Sequence, residues 1–315
     1  MSPANQPFNL LPEQLTQWID EQLSASKLNS THQVRRLFHG RSGVIEAFTP
    51  LVIDWLPPVA VIRLYDDIEA EVLAQLGCYL WQKEAVKGVI VQERGRNRDT
   101  AFAVVHGEVD QQIVVQEDNL FYQLTPLTNQ NSGLFLDMRN GRRWLKEQAK
   151  DCKVLNLFSY TCAFSVAAVA GGASLVVNVD LSKRALSTGR TNHQLNQHDK
   201  NKAKFMPLDM LKSWSRIKKP GPYDIVVIDP PSFQPGSFVA QKDYVKVLRR
   251  LAQLTADNAK VLLCHNDPAQ DSAFVKELMA QECPEFEFIT RLEVPEDFAE
   301  PDIERSCKVL VYQRV

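Results

Sequence analysis

Apolar residues recur along this chain with two different rhythms, and the change between them divides it. Over residues 8–30, Leu11, Leu15, Trp18, Ile19 and Leu23 fall three or four apart, which predicts an amphipathic helix. From Val44 to about Tyr122 the pattern shortens to the runs "VIEAF", "LVIDWL", "VAVIRLY", "GVIVQE" and "AFAVVHG". These are rich in β-branched and aromatic residues and read as strands. One helix, about Asp67 to Trp81, sits among them with Ile68, Val72, Leu73, Leu76 and Leu80 on one side. "QIVVQEDNLFYQL" reads as a hairpin turning at Asp118-Asn119. Residues 1–125 are therefore expected to form a small α+β domain.

After Thr125 strands and helices alternate. Strands ending near Phe158, Val179, Pro207, Ile228 and Leu263 are each followed by a helical stretch. Such βαβ order predicts a mainly parallel sheet with helices on both faces over residues 126–315. The end differs, because "FEFITRLEV" and "CKVLVYQRV" have no helix between them and should pair antiparallel. The expected architecture is α/β, with the smaller α+β domain in front.

Composition narrows the class. The 315 residues are 44% apolar and 23% charged, enough for two cores. "MSPANQPFNL" lacks the basic and apolar regions of a secretory leader. The most apolar window, Phe164 to Leu181, is broken by Gly171, Gly172, Ser174 and Asn178, so a membrane span is a poor reading. Six cysteines without a C-x-x-C pair argue for reduced thiols in a cytoplasmic protein and against zinc. His193 and His198 read as surface histidines.

The net charge of −2 conceals an asymmetry: residues 1–125 carry 10 Lys/Arg against 16 Asp/Glu. Nucleic acid is permitted as a partner but not demanded. Two clusters, Arg35, Arg36 and Arg41, and Arg94, Arg96 and Arg98, could grip phosphates; solvated loop charge is an equal alternative.

Candidate chemistry gathers where the central strands end. In an open parallel sheet, ligands bind beyond the carboxyl ends of the strands, where the strand order reverses. "VLNLFSYT" ends its strand between Asn156 and Tyr160, "SLVVNVD" ends at Asp180, "FMPLDM" at Asp209, "YDIVVIDPPSF" at Asp229 and "KVLLCHND" at His265 and Asn266. Asp180 lies 24 residues beyond Asn156, a spacing suited to an acid that accepts ribose hydroxyl protons. Asp209 would be placed to accept the amino protons of an adenine. Each Asp alone could equally cap a helix; three in succession favour a site. In "DPPSF" the fixed φ of Pro230 and Pro231 makes a rigid loop that can hold Asp229 and Phe233 around a planar group.

Together "SGLFLDMR", "VLNLFSYT" with its following "AFSVAA", "VVNVDLS" and "YDIVVIDPPSF", in this order, resemble the class I S-adenosylmethionine-dependent methyltransferases. More narrowly, they resemble the family of large-subunit ribosomal RNA cytosine-C5 and guanine-N7 methyltransferases. The resemblance runs from about Asn119 to the end. It implies a Rossmann-like seven-stranded sheet with an antiparallel last strand, S-adenosyl-L-methionine as cofactor and ribosomal RNA as partner. It also implies roles. Asn156, Phe158, Ser159 and Thr161 would turn over the methionine half of the cofactor, Asp180 would hold the ribose and Asp209 the adenine. Asp229, Pro230, Pro231 and Phe233 would frame the accepting base, while Phe135, Asp137 and Arg139 would close over the methionine end. For those last three, a helix start capped by Asp137 is the alternative.

Two of the chain's departures from that family fall in the candidate site. Relatives carry glycine where this chain has Cys162 and Ala163, which a small residue can replace if φ there is negative. Cys162 is expected to be a small packing residue rather than a reactive thiol. Cytosine-C5 chemistry needs a thiolate to attack C6. At the corresponding position stands Asn266, with Cys264 two residues earlier, still inside the strand. Asn266 suits a hydrogen bond to a base edge while a base nitrogen takes the methyl, as in the guanine-N7 relatives. A protein or small-molecule acceptor, or a cofactor-binding fold without activity, remains the alternative.

Overall fold

In the computed structural model the chain forms two compact units, Met1–Leu136 with Glu296–Ala299, and Asp137–Pro295 with Glu300–Val315. The structure describes residues 9–28, 31–94, 100–128, 130–231, 233–234, 238–298 and 300–315; for Leu28, Phe233, Gln234 and Gln241 only the backbone is described.

The first unit opens with α1 (Glu13–Ala25), which buries Leu15, Ile19 and Leu23 at four-residue spacing. Five strands follow in spatial order: β1 (Arg35–His39), β2 (Leu51–Leu56), β3 (Val59–Leu64), β4 (Gly88–Glu93) and β5 (Ala101–Gly107). Only β3 and β4 run parallel, and α2 (Ala70–Trp81) bridges them, as a parallel return requires. Alternation sorts the buried strands by face. Leu51, Ile53, Trp55, Ala60 and Ile62 enter the apolar core. On the opposite face, Arg36, Asp54 and Arg63 lie on three neighbouring strands.

β6 (Ile113–Glu117) and β7 (Leu120–Leu124) form the expected hairpin. Asp118 and Asn119 both adopt positive φ, 48° and 65°, the geometry of a type I′ turn. One expectation fails. "VIEAF" is no strand, since Glu46–Phe48 form a 3-10 turn. The strand that heads the sheet is β1, inside the arginine-rich "RRLFHG", where charge on one face hides the alternation.

The second unit starts with α3 (Arg139–Gln148) and then alternates. Its elements are β8 (Lys153–Leu157), α4 (Ala163–Ala170), β9 (Leu175–Asp180), α5 (Lys183–Leu195), β10 (Ala203–Pro207), α6 (Trp214–Lys218) and β11 (Tyr223–Ile228). After β11 come α7 (Ala240–Leu248), α8 (Leu251–Leu254), β12 (Thr255–His265), α9 (Ser272–Glu282), β13 (Phe286–Leu292) and β14 (Lys308–Arg314). The seven strands lie in the order β10-β9-β8-β11-β12-β14-β13. β10 through β12 are parallel, and β14 runs antiparallel to both its neighbours. This is the Rossmann-like sheet expected.

Alternate strand residues feed two cores, one on each face. Leu155, Val177, Val226, Val261 and Leu310 join α6 to α9 in one; Val154, Val176, Ile225, Leu262 and Val309 join α3 and α4 in the other. Chain order runs outward from β8 to β10 and then returns to β11. The reversal therefore lies between β8 and β11, where such sheets open a crevice beyond their carboxyl ends.

Candidate active site

The corner after β8 is a compact left-handed turn. Phe158, Tyr160 and Cys162 have φ of 55°, 46° and 62°. None is glycine, and each such residue costs about 1–2 kcal/mol of local strain. The condition for replacing glycine, a negative φ, is not met at Cys162: the conformation that favours glycine persists with a side chain on it. The turn is held from several sides. Ser159 N donates to Val179 O at 3.1 Å, and Cys162 N to Ser159 O at 2.7 Å. Tyr160 N donates to Asp180 Oδ2 at 2.8 Å. Ser159, Thr161 and Cys162 are buried. Burial pushes the Cys162 thiol far up, so it stays protonated and packs, as expected, rather than reacts.

Asn156 lies lower than the turn. It is inside β8, 1% exposed, and its Nδ2 donates to Asn178 Oδ1 at 2.9 Å. Among the described residues its Oδ1 meets no hydrogen-bond donor. From Asn178 a polar chain continues through the core. Asn178 Nδ2 donates to Ser165 Oγ at 3.0 Å, and Ser165 Oγ lies 2.9 Å from His193 Nε2. His193 Nδ1 is 3.0 Å from His198 Nδ1. Asn178, Ser165, His193 and His198 thus form one hydrogen-bonded chain that satisfies the buried imidazole on both ring nitrogens. His193 is thus no surface histidine. Burial, aided by His198, lowers it to about 3 and keeps it neutral.

The three strand-end carboxylates are each partly exposed. Asp180 is not a helix cap: Ser182 caps α5, accepting from Ala185 N at 3.1 Å. Asp180 instead accepts from the amides of Tyr160 and Ser182, both at 2.8 Å. Those two bonds orient its carboxylate and leave lone pairs for a ligand's hydroxyls. Burial raises its pKa, against the pull of the two amides. Asp209 makes no side-chain cap bond and pairs with Lys212 at 2.9 Å, beyond the next strand.

Asp229 stands at the end of β11, on the far side of the reversal from Asp180. Its carboxyl is pushed up to about 7 by burial and by nearby Asp137, against the Arg142 guanidinium. The structure therefore brings Asp137 and Asp229 together. Arg139, in the first turn of α3, is 7% exposed. Phe135 belongs to the first unit and is exposed. Pro230 is buried and Pro231 partly so. The side chain of Phe233 lies outside the described residues; its backbone pairs with Val239 in a two-residue hairpin. A buried aromatic unforeseen from the sequence packs against the turn after β8. Phe238 packs edge-on against Phe158, with centroids 4.8 Å apart. Its signal was only its place shortly after "DPPSF".

At the end of β12, Asn266 is exposed. Cys264 is inside the strand with no exposed surface, and burial with Asp229 nearby raises its thiol well above the ordinary range. It offers no thiolate at neutral pH.

The arginine clusters in the first unit divide. Arg36 forms an ion pair with Asp54 at 2.9 Å and covers Phe298 at 4.0 Å. Arg35 is held by Gln22 Oε1 at 2.5 Å. Both are held within the protein, Arg35 against Gln22 of α1 and Arg36 by Asp54 on the other face of β1, so neither is presented as the expected phosphate contact. Arg41 is exposed over the Tyr65 ring at 4.6 Å. Arg94 donates to Tyr65 Oη at 2.8 Å and to Asn131 at 2.9 Å, so the two clusters meet at one tyrosine. Arg96 and Arg98 lie outside the described residues. Among the described residues no group of His, Cys, Asp and Glu is placed to hold a metal, and no helix is long and apolar enough to cross a membrane.

Comparison with known proteins adds to this geometry. A family model described as S-adenosylmethionine-dependent methyltransferase matches residues 35–313. The ribosomal RNA large subunit methyltransferase I of Aliivibrio fischeri (strain MJ11) is 28% identical over 235 residues, 68% of this chain and 58% of that protein. The ribosomal RNA large subunit methyltransferase K/L of Pseudoalteromonas translucida (strain TAC 125) is 31% identical over 189 residues, 58% of this chain and 26% of that protein. The match spans less than two thirds of either relative's length. Among solved structures, the methyltransferase SMU.776 complexed with SAH superposes with a TM-score of 0.84. The overlap covers 95% of this chain and 80% of that one at 26% identity.

Proposed function

We propose that this chain, which belongs to the S-adenosylmethionine-dependent methyltransferase family, methylates a base nitrogen of ribosomal RNA, in the manner of guanine-N7 methylation. The observation that carries this reading is the grouping of the left-handed turn after β8 with Asp180 on one side of the strand-order reversal and Asp229 on the other.

The residues fit the cofactor. Asp180, oriented by two amides, accepts the ribose hydroxyls, and Asp209 the adenine amino group. The turn from Phe158 to Thr161 faces the methionine half, with Asn156 bracing it from below; Asp137 and Arg139 close that end. When bound, the cofactor supplies a methyl group on a sulfonium. Asp229, Pro230, Pro231 and Phe233 frame the acceptor base, and Asn266 bonds its edge. A base nitrogen with a lone pair needs in-line placement and no general base. The sealed Cys264 and the asparagine at position 266 support nitrogen rather than C5 chemistry.

Ribosomal RNA is favoured as substrate by what the relatives' names say of them, and it would place the protein in the cytoplasm. Residues 1–125 would then recognise RNA, with Arg41 and Arg94 as the phosphate-facing pair.

Two measurements test this. Calorimetry should find S-adenosylmethionine binding that Asp180→Ala weakens at least about tenfold, the scale of a lost charged hydrogen bond; unchanged binding removes the assigned site. Labelled methyl groups should pass to RNA from a strain lacking the protein. Label appearing only in protein or metabolite fractions would instead establish a different acceptor.

A further inference from the structure

We infer that one face of α5, made by Gly189, Asn192 and His193, is the positioning device that sets the cofactor turn, standing in for the glycine the turn lacks. The inference rests on the cofactor reading above and names what builds that site.

The three residues are spaced so that they share one side of a helix. Each engages a different part of the corner. Asn192 Nδ2 donates to Thr161 O at 2.9 Å, between two residues of positive φ. His193 Nε2 is hydrogen-bonded to Ser165 Oγ at 2.9 Å and so ties α5 to the first turn of α4. Gly189 leaves the space that the Cys162 side chain fills. A Cβ added at Gly189 would lie 2.4 Å from Cys162 Sγ and 2.9 Å from its Cβ, distances that packed atoms do not reach.

A left-handed non-glycine residue persists only where its surroundings over-determine it. Here the surroundings are α5. Glycine takes a left-handed conformation without steric cost. This turn has a side chain at Cys162, and the missing atoms have been removed from the facing helix instead. Cys162 cannot relax to negative φ without disturbing the Asn192 bond to Thr161 O or emptying the volume over Gly189. The backbone offered to the methionine half of the cofactor is therefore preset, and Gly189, Asn192 and His193 act through it as positioning residues.

The test is a double-mutant cycle read by cofactor binding. On helix propensity alone, Gly189→Ala would be neutral or stabilising. Here it should weaken S-adenosylmethionine binding about tenfold or more, the scale of an overpacked core. Adding Cys162→Gly should restore affinity to within about threefold of wild type, because the pair is coupled through one volume. Asn192→Ala, which introduces no clash, should raise KM for the cofactor about fivefold with a smaller change in kcat, the signature of lost ground-state binding. Wild-type affinity in Gly189→Ala, or no recovery in the double variant, would overturn the inference. If Gly189→Ala does not fold, Asn192→Ala decides, and an unchanged KM overturns it. Failure of the wild type to bind S-adenosylmethionine would instead remove the cofactor reading.

Discussion

Two carboxylates, one in each unit, are withdrawn from water to opposite ends, Asp54 buried and Asp229 partly so. Asp54 of the first unit sits between Arg36 at 2.9 Å and Arg63 at 2.7 Å. Burial alone would raise its pKa, but the two guanidinium groups overcome that and hold it at about 2. Asp229 of the second unit has a carboxylate neighbour in Asp137, and burial pushes it up to about 7. One acid is neutralised on every side and braces a sheet; the other is kept near the point of losing its proton, as functional acids often are. The difference lies in which residues the neighbouring strands place opposite each acid, not in the acid itself.

Breaking the braced acid should have the largest effect. Asp54→Ala leaves the buried Arg63 and the partly buried Arg36 without their counter-charge, and such a loss costs about 3–5 kcal/mol. Urea unfolding should show it; a change below about 1 kcal/mol would erase the contrast.

For the poised acid, function and stability should move apart. Asp229→Asn should lower methyl transfer about a hundredfold or more, as loss of a charged group at the reacting centre does. The sign of its stability effect follows from linkage. A folded-state pKa near 7 against 3.8 in the unfolded chain means the folded state holds the extra proton between those values. Asp229 therefore contributes stability that is full at low pH and lost as pH rises through about 7. The asparagine variant should melt higher than wild type at pH 8, by a smaller margin at pH 5, and no higher below the unfolded value of 3.8. An equal melting temperature at pH 8 would show that Asp229 is not strained.

His193 sharpens the comparison on the acid side. Its pKa is about 3 folded and 6.5 unfolded, so below pH 6.5 the unfolded chain takes a proton that the native state refuses. Stability should fall as pH drops from 6.5 towards 3, by up to about 1.4 kcal/mol per pH unit for this group. Asp54, held at about 2, keeps its contribution through most of that range. His193→Gln should flatten the slope between pH 6.5 and 5; an unaltered slope would assign it to other histidines.

The smallest effect concerns the arginines. Arg41→Ala should change stability by less than about 0.5 kcal/mol, as an exposed substitution does. It should also reduce the salt dependence of RNA binding by about one counter-ion. An unaltered salt slope would take Arg41 off the RNA surface.

Much of this was legible along the chain. The hairpin at Asp118-Asn119 was readable because both residues tolerate positive φ, a local property. The βαβ rhythm was readable because burial on both faces makes each central strand a continuous apolar run. The acids after those runs marked the carboxyl edge of the sheet. Arg36 was misread, because its partner Asp54 is 18 residues away in sequence and meets it only through the register of β1 and β2. His193 was misread for the same reason, since Ser165 reaches it from another helix.

By itself, then, the sequence determined the elements, their order, the family and the line of acids at the strand ends. Those follow from periodicity and turn chemistry within a few residues. Only the tertiary structure decided that Cys162 could keep a glycine's conformation, that Asp54 would be clamped and Asp229 left poised, and that one face of α5 would hold the turn. Each of those depends on atoms brought together from distant positions, and close packing fixes such neighbours only once the whole core has formed.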